Sequence, residues 1–434
     1  RLPTSEGARP LCVRWRAPQL AGSVARSSPR GSCTDPMRIA LIDPSLFTWP
    51  YDSELALALA KAGHEVRIYG KPPRAADTGP GLELLAPHFY RELEPLAQRL
   101  PRPVFLGIKG LSHTVDMARL VVELRAFKPD VIHFQWAPLP LVDRMYLPVL
   151  RRIAKLVLTV HDSAPFNGAP RSALQMAGAI KILSDFDRLI VHTDAAATRL
   201  RSYGLPTENI RRIAHGPLEG SSVVVPRREH ANGEGRLVEI LLFGRIKPYK
   251  GADVLLQAAA AMRRDLLAKA RIHIVGQPFM DLAPLHTIVH DAGIEEHVSI
   301  EPRFVSDAEV SELLAAADIV ALPYRDIDAS GVLMTAISAG VPIVATRVGL
   351  FAELLEDGKH GRVIGVNDHL ALARALEELV QSPELRARMG RQVRALRDAL
   401  PTWSNIAQDT VNLYAELSPG ARAGRESGAY SSPG

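Results

Sequence analysis

Ala321-Leu-Pro-Tyr-Arg-Asp-Ile-Asp-Ala-Ser-Gly-Val-Leu-Met-Thr-Ala-Ile-Ser-Ala-Gly340 decides how the rest of the chain is read. Asp318 to Leu322 has the apolar character of a short buried strand. A polar loop follows, and Val332 to Ala339 reads as the start of a helix. Ser330 and Gly331 stand where that helix begins. A helix start exposes unpaired backbone N–H groups and the positive end of the dipole, which suits a phosphate. Gly331 carries no side chain and lets a bulky anion come close to the backbone. Gly340-Val-Pro-Ile-Val-Ala345 turns into another buried strand and closes one βαβ unit. Taken alone, the same residues also describe an ordinary strand-to-helix turn of a parallel sheet.

Outward from this unit the pattern repeats. Strands at Arg38–Ile42, His64–Tyr69, Asp130–Phe134, Leu156–Val160, Asp187–His192 and Ile210–Ala214 alternate with helices at Ser53–Ala62, Thr114–Phe127, Asp143–Ala154 and Ala195–Tyr203. After a polar linker the alternation restarts. Strands Val238–Phe243, Arg271–Val275 and His297–Glu301 are joined with helices Ala252–Arg264 and Asp307–Ala316. Helices at Asp368–Gln381, Pro383–Ala399 and Thr402–Leu417 close the chain. This is an α/β chain with two Rossmann-like, doubly wound domains facing an interdomain cleft. The expected divisions are a disordered extension 1–36, a first domain 37–216, a linker 217–236, a second domain 237–400, a final helix 401–417 and a disordered tail 418–434.

Composition narrows the function. The 434 residues carry a net charge of +5, but the six arginines before Met37 stand against only Glu6 and Asp35, a net of +4. Arg422 and Arg425 against Glu426 add +1, so the body is formally neutral and the basic pI argues for no nucleic acid. Cys12 and Cys33 both lie in the leader, which leaves the body without a disulfide or thiolate metal site. No apolar run reaches the ~18 residues of a membrane span, so a cytoplasmic protein is expected. The leader reads as foreign to the fold, or else as an Arg- and Ser-rich transit peptide, since Met37 opens a natural first strand.

Parallel sheets bind ligands beyond the C-terminal ends of their strands. Arg245, Lys247 and Lys250 follow Val238–Phe243 there, bracketed by Gly244 and Gly251. Ser330 and Gly331 follow a later strand. Cations beside a helix start make a site for a diphosphate. No histidine stands at ligand spacing from a second ligand, so no metal site and no cofactor are expected.

These residues also carry a resemblance. "FGRIKPYKGADVLLQA", "IHIVGQP", "RFVSDAEVSELLAAADIVALPY", "SGVLMTAISAGVPIVAT" and "VGLFAELLEDGKHG" resemble, in order and spacing, the nucleotide-sugar domain of family-4 glycosyltransferases of the GT-B fold. "DVIHFQW", "LTVHDSAP", "FDRLIVHT" and "IAHGP" extend the likeness, more loosely, to the first half. The resemblance implies a metal-independent hexosyltransferase that moves a sugar from a nucleoside-diphosphate donor, UDP- or GDP-linked, to a hydroxyl acceptor with retention. It implies work on a surface glycan, polysaccharide or glycolipid, a glycan or lipid-linked acceptor, and a final helix that crosses back to the first domain.

The resemblance also distributes roles. Arg245 and Lys250 would neutralise the diphosphate, and Ser330, Gly331 and Val332 would bind phosphate through backbone N–H groups. Phe304 would flank the base and Gly276 would make room for the nucleotide. His161 would contact the transferred sugar. Many members carry two glutamates separated by seven residues around the phosphate helix, one residue more than lies between Asp328 and Thr335 here. Asp328 stands at the first position, with Asp326 as a rival, and Thr335 at the second, so donor-sugar and ribose recognition depart from the pattern.

Other readings stay open. His133 and Trp136 line the acceptor side or are core residues, and His215 marks the hinge loop. Phe47, Trp49 and Tyr51 stand where the family has a glycine-rich acceptor loop. Leu150-Arg-Arg-Ile-Ala-Lys155 is an exposed face of a core helix or a basic, peripheral membrane contact. The alternatives in function are a nucleotide-sugar epimerase, which would need further acid/base groups, and a non-catalytic nucleotide- or sugar-binding protein.

Overall fold

The computed structural model describes residues 35–73, 80–91, 93, 100–164, 178–218 and 236–417. The leader up to residue 34, residues 219–235 of the expected linker and the tail 418–434 lie outside the described residues. Two parallel sheets organise the rest. The first contains β1 (Arg38–Asp43), β2 (Glu65–Gly70), β3 (Leu85–Pro87), β4 (Val131–Phe134), β5 (Lys155–Thr159), β6 (Arg188–Val191) and β7 (Ile210–Arg212), in the order β3-β2-β1-β4-β5-β6-β7. The second contains β8 (Val238–Phe243), β9 (Ala270–Val275), β10 (Val298–Glu301), β11 (Ile319–Leu322), β12 (Ile343–Thr346) and β13 (Gly361–Ile364), in the order β10-β9-β8-β11-β12-β13.

The registers explain the apolar runs. Ile39 pairs with Val66 on one side and Val131 on the other, and Ile240 with Ile272 and Ile319. Such central strands are covered by helices on both faces, so they read as nearly continuous Val, Ile and Leu. Strand order reverses between β1 and β4, and again between β8 and β11. The loops beyond those two crossings form the crevice where doubly wound sheets bind ligands.

The last helix, Trp403–Leu417, closes the first domain rather than the second. Ile406, Ala407, Val411, Leu413 and Tyr414 are buried with Tyr51, Leu55, Ala56 and Leu59 of the helix Trp49–Lys61. Each fully buried leucine, isoleucine or valine among them is worth roughly 1.5–3 kcal/mol. Arg211 pairs with Glu416 at 2.6 Å, and Trp403 Nε1 donates to Pro217 O at 2.8 Å.

Several elements differ from the sequence expectation. The helix expected over Asp143–Ala154 is Pro140–Leu150; Arg151 to Ala154 form turns, and Lys155 opens β5. Arg151 and Lys155 face Asp187 at 3.5 and 3.8 Å, so the basic stretch is tied to the start of β5 and β6 instead of forming a membrane-surface helix. The helix Ala252–Ala261 stops where Met262 and Arg263 turn extended, and only a short turn, Arg264–Leu267, resumes. The helix expected from Thr114 starts at Arg102, and the strand expected to Ala214 stops at Arg212. β3, β13 and the helices Ala283–Ala292 and Gly349–Leu354 had no sequence expectation.

Candidate functional site

The loop after β8 is built around one conformational requirement. Gly251 has φ +68°, and a Cβ there would lie 2.1 Å from Pro323 O. The turn Pro248–Lys250 is thereby pressed against the loop after β11. Arg325 fastens it: its backbone N donates to Tyr249 O at 2.7 Å, and its guanidinium pairs with Asp253 at 2.6 Å. The result aims Lys250 inward. A Cβ added at Gly244 would lie 3.0 Å from Lys250 Nζ and 3.2 Å from Val332 Cγ2. The ammonium, the Gly244 backbone and the start of the helix Gly331–Ala339 therefore converge.

Lys250 is buried, with its Nζ 5.2 Å from the centre of the Tyr324 ring. Burial first, then repulsion from Arg245 and Lys247, pushes its ammonium down to about 7. Lys247 is lowered too, by burial and then Arg245. Three cations crowd one loop although crowding destabilises them, which is the arrangement of a pocket prepared for an anion. Arg245 reaches across the cleft, 5.5 Å from the Phe47 ring of the first domain, and stands 5.9 Å from the Phe279 ring.

The helix start supplies the neutral part of the cradle. Ser330 is the N-cap, its hydroxyl accepting from Leu333 N at 3.3 Å, and Met334 N donates to Ser330 O. The N–H groups of Gly331 and Val332 are the ones the helix itself does not pair. A Cβ at Gly331 would meet Leu218 Cδ1 at 3.2 Å. At the end of β9, Gly276 has φ +156°, and a Cβ there would fall 1.9 Å from Gly244 O. Gly276 thus lets two strand-end loops touch at the base of the crevice. Phe304 lies farther out, 46% exposed, with Arg303 Nη1 donating to its carbonyl. Thr335, one turn into the helix Gly331–Ala339, donates its hydroxyl proton to Gly331 O at 2.8 Å.

His161 follows β5 on the facing domain. Its ring stacks on Trp136 at 5.8 Å and meets the edge of Tyr51 at 5.0 Å. Its Nε2 lies 3.0 Å from Gln135 Oε1. An amide oxygen only accepts, so that nitrogen carries the proton and Nδ1 keeps a lone pair. The low-dielectric enclosure, followed by His192, His215 and His133, pushes His161 well below the usual histidine range, so the imidazole is neutral. Gln135 Nε2 stands 3.4 Å from His133 Nε2, which also meets Thr159 Oγ1 at 2.7 Å. His133 Nδ1 meets Tyr414 Oη at 2.6 Å. His133 is thus a fully buried core histidine, pushed by burial to about 3, and it links the final helix to the loop of His161. Trp136 does face the cleft, and its Nε1 donates to Thr48 Oγ1 at 3.2 Å. His215 is packed against Tyr51 and His192 inside the first domain.

Asp328 is buried and joins the two halves. Its carboxylate accepts from Ser163 N, and Arg199 Nη1 of the first domain stands 3.6 Å from Oδ1. Arg199 also pairs with Asp326 at 3.2 Å. Asp328 therefore holds the loop carrying His161, while the rival Asp326 sits nearer solvent. Asp162, beside His161, is raised to about 7, first by burial and then by Asp328. Arg199, Gln135 and Asp162 belong to the site but had no individual role in the sequence reading. The only signal for Asp162 and Gln135 was their place beside strand ends; Arg199 lies inside a helix with none. Among the described residues no group of three or more His, Cys, Asp or Glu is placed to hold a metal ion.

Comparison with known proteins fits this geometry. Residues 53–216 match the model for Glycosyltransferase Family 4, and residues 227–396 match that for Glycosyl transferases group 1. A D-inositol 3-phosphate glycosyltransferase of Pseudarthrobacter chlorophenolicus is 28% identical over 382 residues, covering 84% of this chain and 89% of that protein. One from Saccharomonospora viridis is 26% identical over 393 residues, covering 84% and 88%. Among solved structures, Anabaena HepE in complex with UDP and glucose aligns with a TM-score of 0.66 at 20% identity, covering 88% of this chain and all (100%) of that one. Sucrose-phosphate synthase from Thermosynechococcus elongatus aligns at 0.68 and 18% identity, covering 88% and 99%. The two matched models fall on the two sheets, with the cationic loop in one and His161 in the other, and the chain belongs to the family-4 glycosyltransferases of the GT-B fold.

Proposed function

We infer that this glycosyltransferase takes its sugar from a nucleoside-diphosphate donor held in the second domain and passes it, with retention, to a hydroxyl brought by the first. The observation that carries this is Lys250: a buried ammonium, beside two further cations and a helix start, that needs an anion. In this reading Arg245 and Lys250 neutralise the diphosphate, while the N–H groups of Gly331 and Val332 hold its outer oxygens. Stabilising the charge that grows on the departing phosphate is then the main catalytic work. No metal and no cofactor is required for it. Phe304 flanks the base and Gly276 leaves space for the nucleotide.

The transfer breaks the bond from the sugar C1 to the phosphate oxygen and forms one to the acceptor oxygen on the same face. The departing phosphate oxygen receives the acceptor's proton. Neutral His161 contacts the sugar, and Asp328 keeps the loop of His161 against the donor site. Thr335 carries no charge and its hydroxyl is engaged within the helix, so ribose recognition falls to backbone groups. UDP-sugars head the donor candidates because a protein of the same fold holds UDP and UDP-glucose. The acceptor is a glycan or a lipid-linked sugar, as in assembly of surface glycans or polysaccharides. Among the described residues no helix is long and apolar enough to cross a membrane.

Calorimetric titration with UDP, GDP and ADP tests this reading, with Arg245→Ala alongside. One nucleotide should bind in the micromolar range and lose most of its affinity in the variant. Binding of none, or inversion at the transferred sugar seen by NMR of the product, overturns it.

A further inference from the structure

The cleft continues past His161. A cavity of about 510 Å³ runs from Arg245, Lys247 and Asp162 past His161 into the first domain. Away from those cations its lining includes Trp136, Leu139, Ala179, Ile182 and Leu183, with Leu106, 56% exposed, at its edge. A wall of that kind does not suit a polyol or sugar phosphate, whose hydroxyls would lose water without gaining partners. It suits carbon: each methylene moved from water onto such a surface tightens binding about fourfold.

A second observation says where the carbon comes from. The helix Arg102–Phe127 gives Leu106, Lys109 and Gly110 to the cavity. The same helix carries Val104, Leu111, Val115 and Val122 at spacings that share one face, opposite the one that lines the cavity. They are 50%, 69%, 43% and 65% exposed, so this long helix is apolar on its outside as well as toward the core. Leu141 and Met145 of the helix Pro140–Leu150 are likewise 58% and 74% exposed. Exposed Arg119 and Arg125 flank the stripe. An apolar face with basic flanks is what a helix resting on an anionic lipid surface presents. Lys109 stands at the cavity, its Nζ 4.6 Å from the Tyr90 ring, where an anionic link between a head and a chain would pass.

We propose that the acceptor is a lipid. Its hydroxyl-bearing head sits at His161, and its acyl or isoprenoid chain fills the cavity lined by Leu106, Leu139 and Leu183. This rests on the reading of the cleft as the transfer site and assigns what enters it from the first domain.

The test uses the full chain saturated with UDP and glycosides in matched pairs, methyl against octyl, on glucose and galactose, below their micelle concentrations. Binding is followed by calorimetry and by tryptophan fluorescence, with Trp136 lining the cavity. The octyl member of at least one pair should bind about tenfold or more tighter than the methyl member. Leu106→Asp and Leu139→Asp, both at positions that are not fully buried, should abolish that preference while leaving UDP affinity unchanged. Equal binding of the pair, binding of neither, a preference that survives both substitutions, or 4-nitrophenyl glycosides binding tighter than octyl ones would overturn the lipid assignment. UDP affinity, measured alone on the same protein, reports on the donor reading separately: its absence beside a persisting octyl preference would sink the donor site and not the lipid cavity.

Discussion

Lys250 yields a quantitative test of the anion pocket. In the empty site its ammonium titrates at about 7, so at pH 7 about half the molecules carry the charge. A diphosphate within a few ångströms favours the charged form and raises that value again. Binding at pH 7 must then take up about half a proton, rising to about 0.9 at pH 8 and falling to about 0.1 at pH 6. The terminal phosphate, with its own pKa near ~6, gives back only ~0.1 proton at pH 7 and less above it. Above pH 7 the apparent affinity should accordingly weaken by about tenfold per pH unit. Titrating nucleoside diphosphate in two buffers of different protonation enthalpy gives the proton number from the difference in observed heat. Lys250→Met supplies the control, with no uptake and a flat pH profile. Zero uptake at pH 8 by the unaltered protein, or equal uptake by the variant, would refute the reasoning. Without ligand the sign is opposite: the unfolded chain holds this proton between about pH 7 and 10.4, so the empty protein gains stability as pH rises through that window.

Other expectations follow from the same geometry. Asp162, raised to about 7, holds a proton in the folded state that the unfolded chain releases near ~4, so stability is lost as pH rises from ~4 to 7. Asp162→Asn should flatten that decline by about 1–2 kcal/mol, seen in urea melts at pH 5 and 7. Gly276→Ala drives a methyl into Gly244 O and should cost about 3 kcal/mol or more in stability, with nucleotide binding lost before the fold is; an unchanged melting temperature would contradict the close approach. Ser330→Ala removes a cap and should cost about 1 kcal/mol, whereas Thr335→Ala should leave nucleotide affinity within about threefold. Arg199→Ala strips Asp328 of its cation, and hydrogen exchange at Ser163 should speed up with activity falling at least about tenfold.

The frame of the molecule was legible in the sequence, and the reasons are local. Central parallel strands such as Ile39–Ile42 and Ile240–Phe243 are buried on both faces, so their apolar runs stand out, and Gly244, Gly251 and Gly276 mark the strand ends where the backbone must bend sharply or meet another loop. The strands without a signal were the short ones at sheet edges, β3 and β13, where few apolar residues are needed; the helices Ala283–Ala292 and Gly349–Leu354 also went unread. Helix ends slipped where no glycine or proline marks the boundary, as at Arg151. The site divides the same way. Arg245, Lys250 and Ser330 lie close in sequence to the features that place them. Arg199 does not; its meeting with Asp326 and Asp328 is a product of how the two domains face each other. The shorter carboxylate at 328 drew notice as a departure from a pattern, but only the structure gives it Ser163 N as a partner.

The way Tyr414 reaches back to His133 bears on how the protein is made. The first domain's hydrophobic layer is finished by residues synthesised roughly 200 positions after its last strand, a delay of about 10–40 s at ordinary ribosomal speed. Throughout that interval Tyr51, Leu55 and Leu59 lack the cover that Ile406, Val411 and Leu413 later provide. The nascent first half therefore offers a sticky groove to chaperones, and any message truncated before Trp403 yields a chain that remains their client.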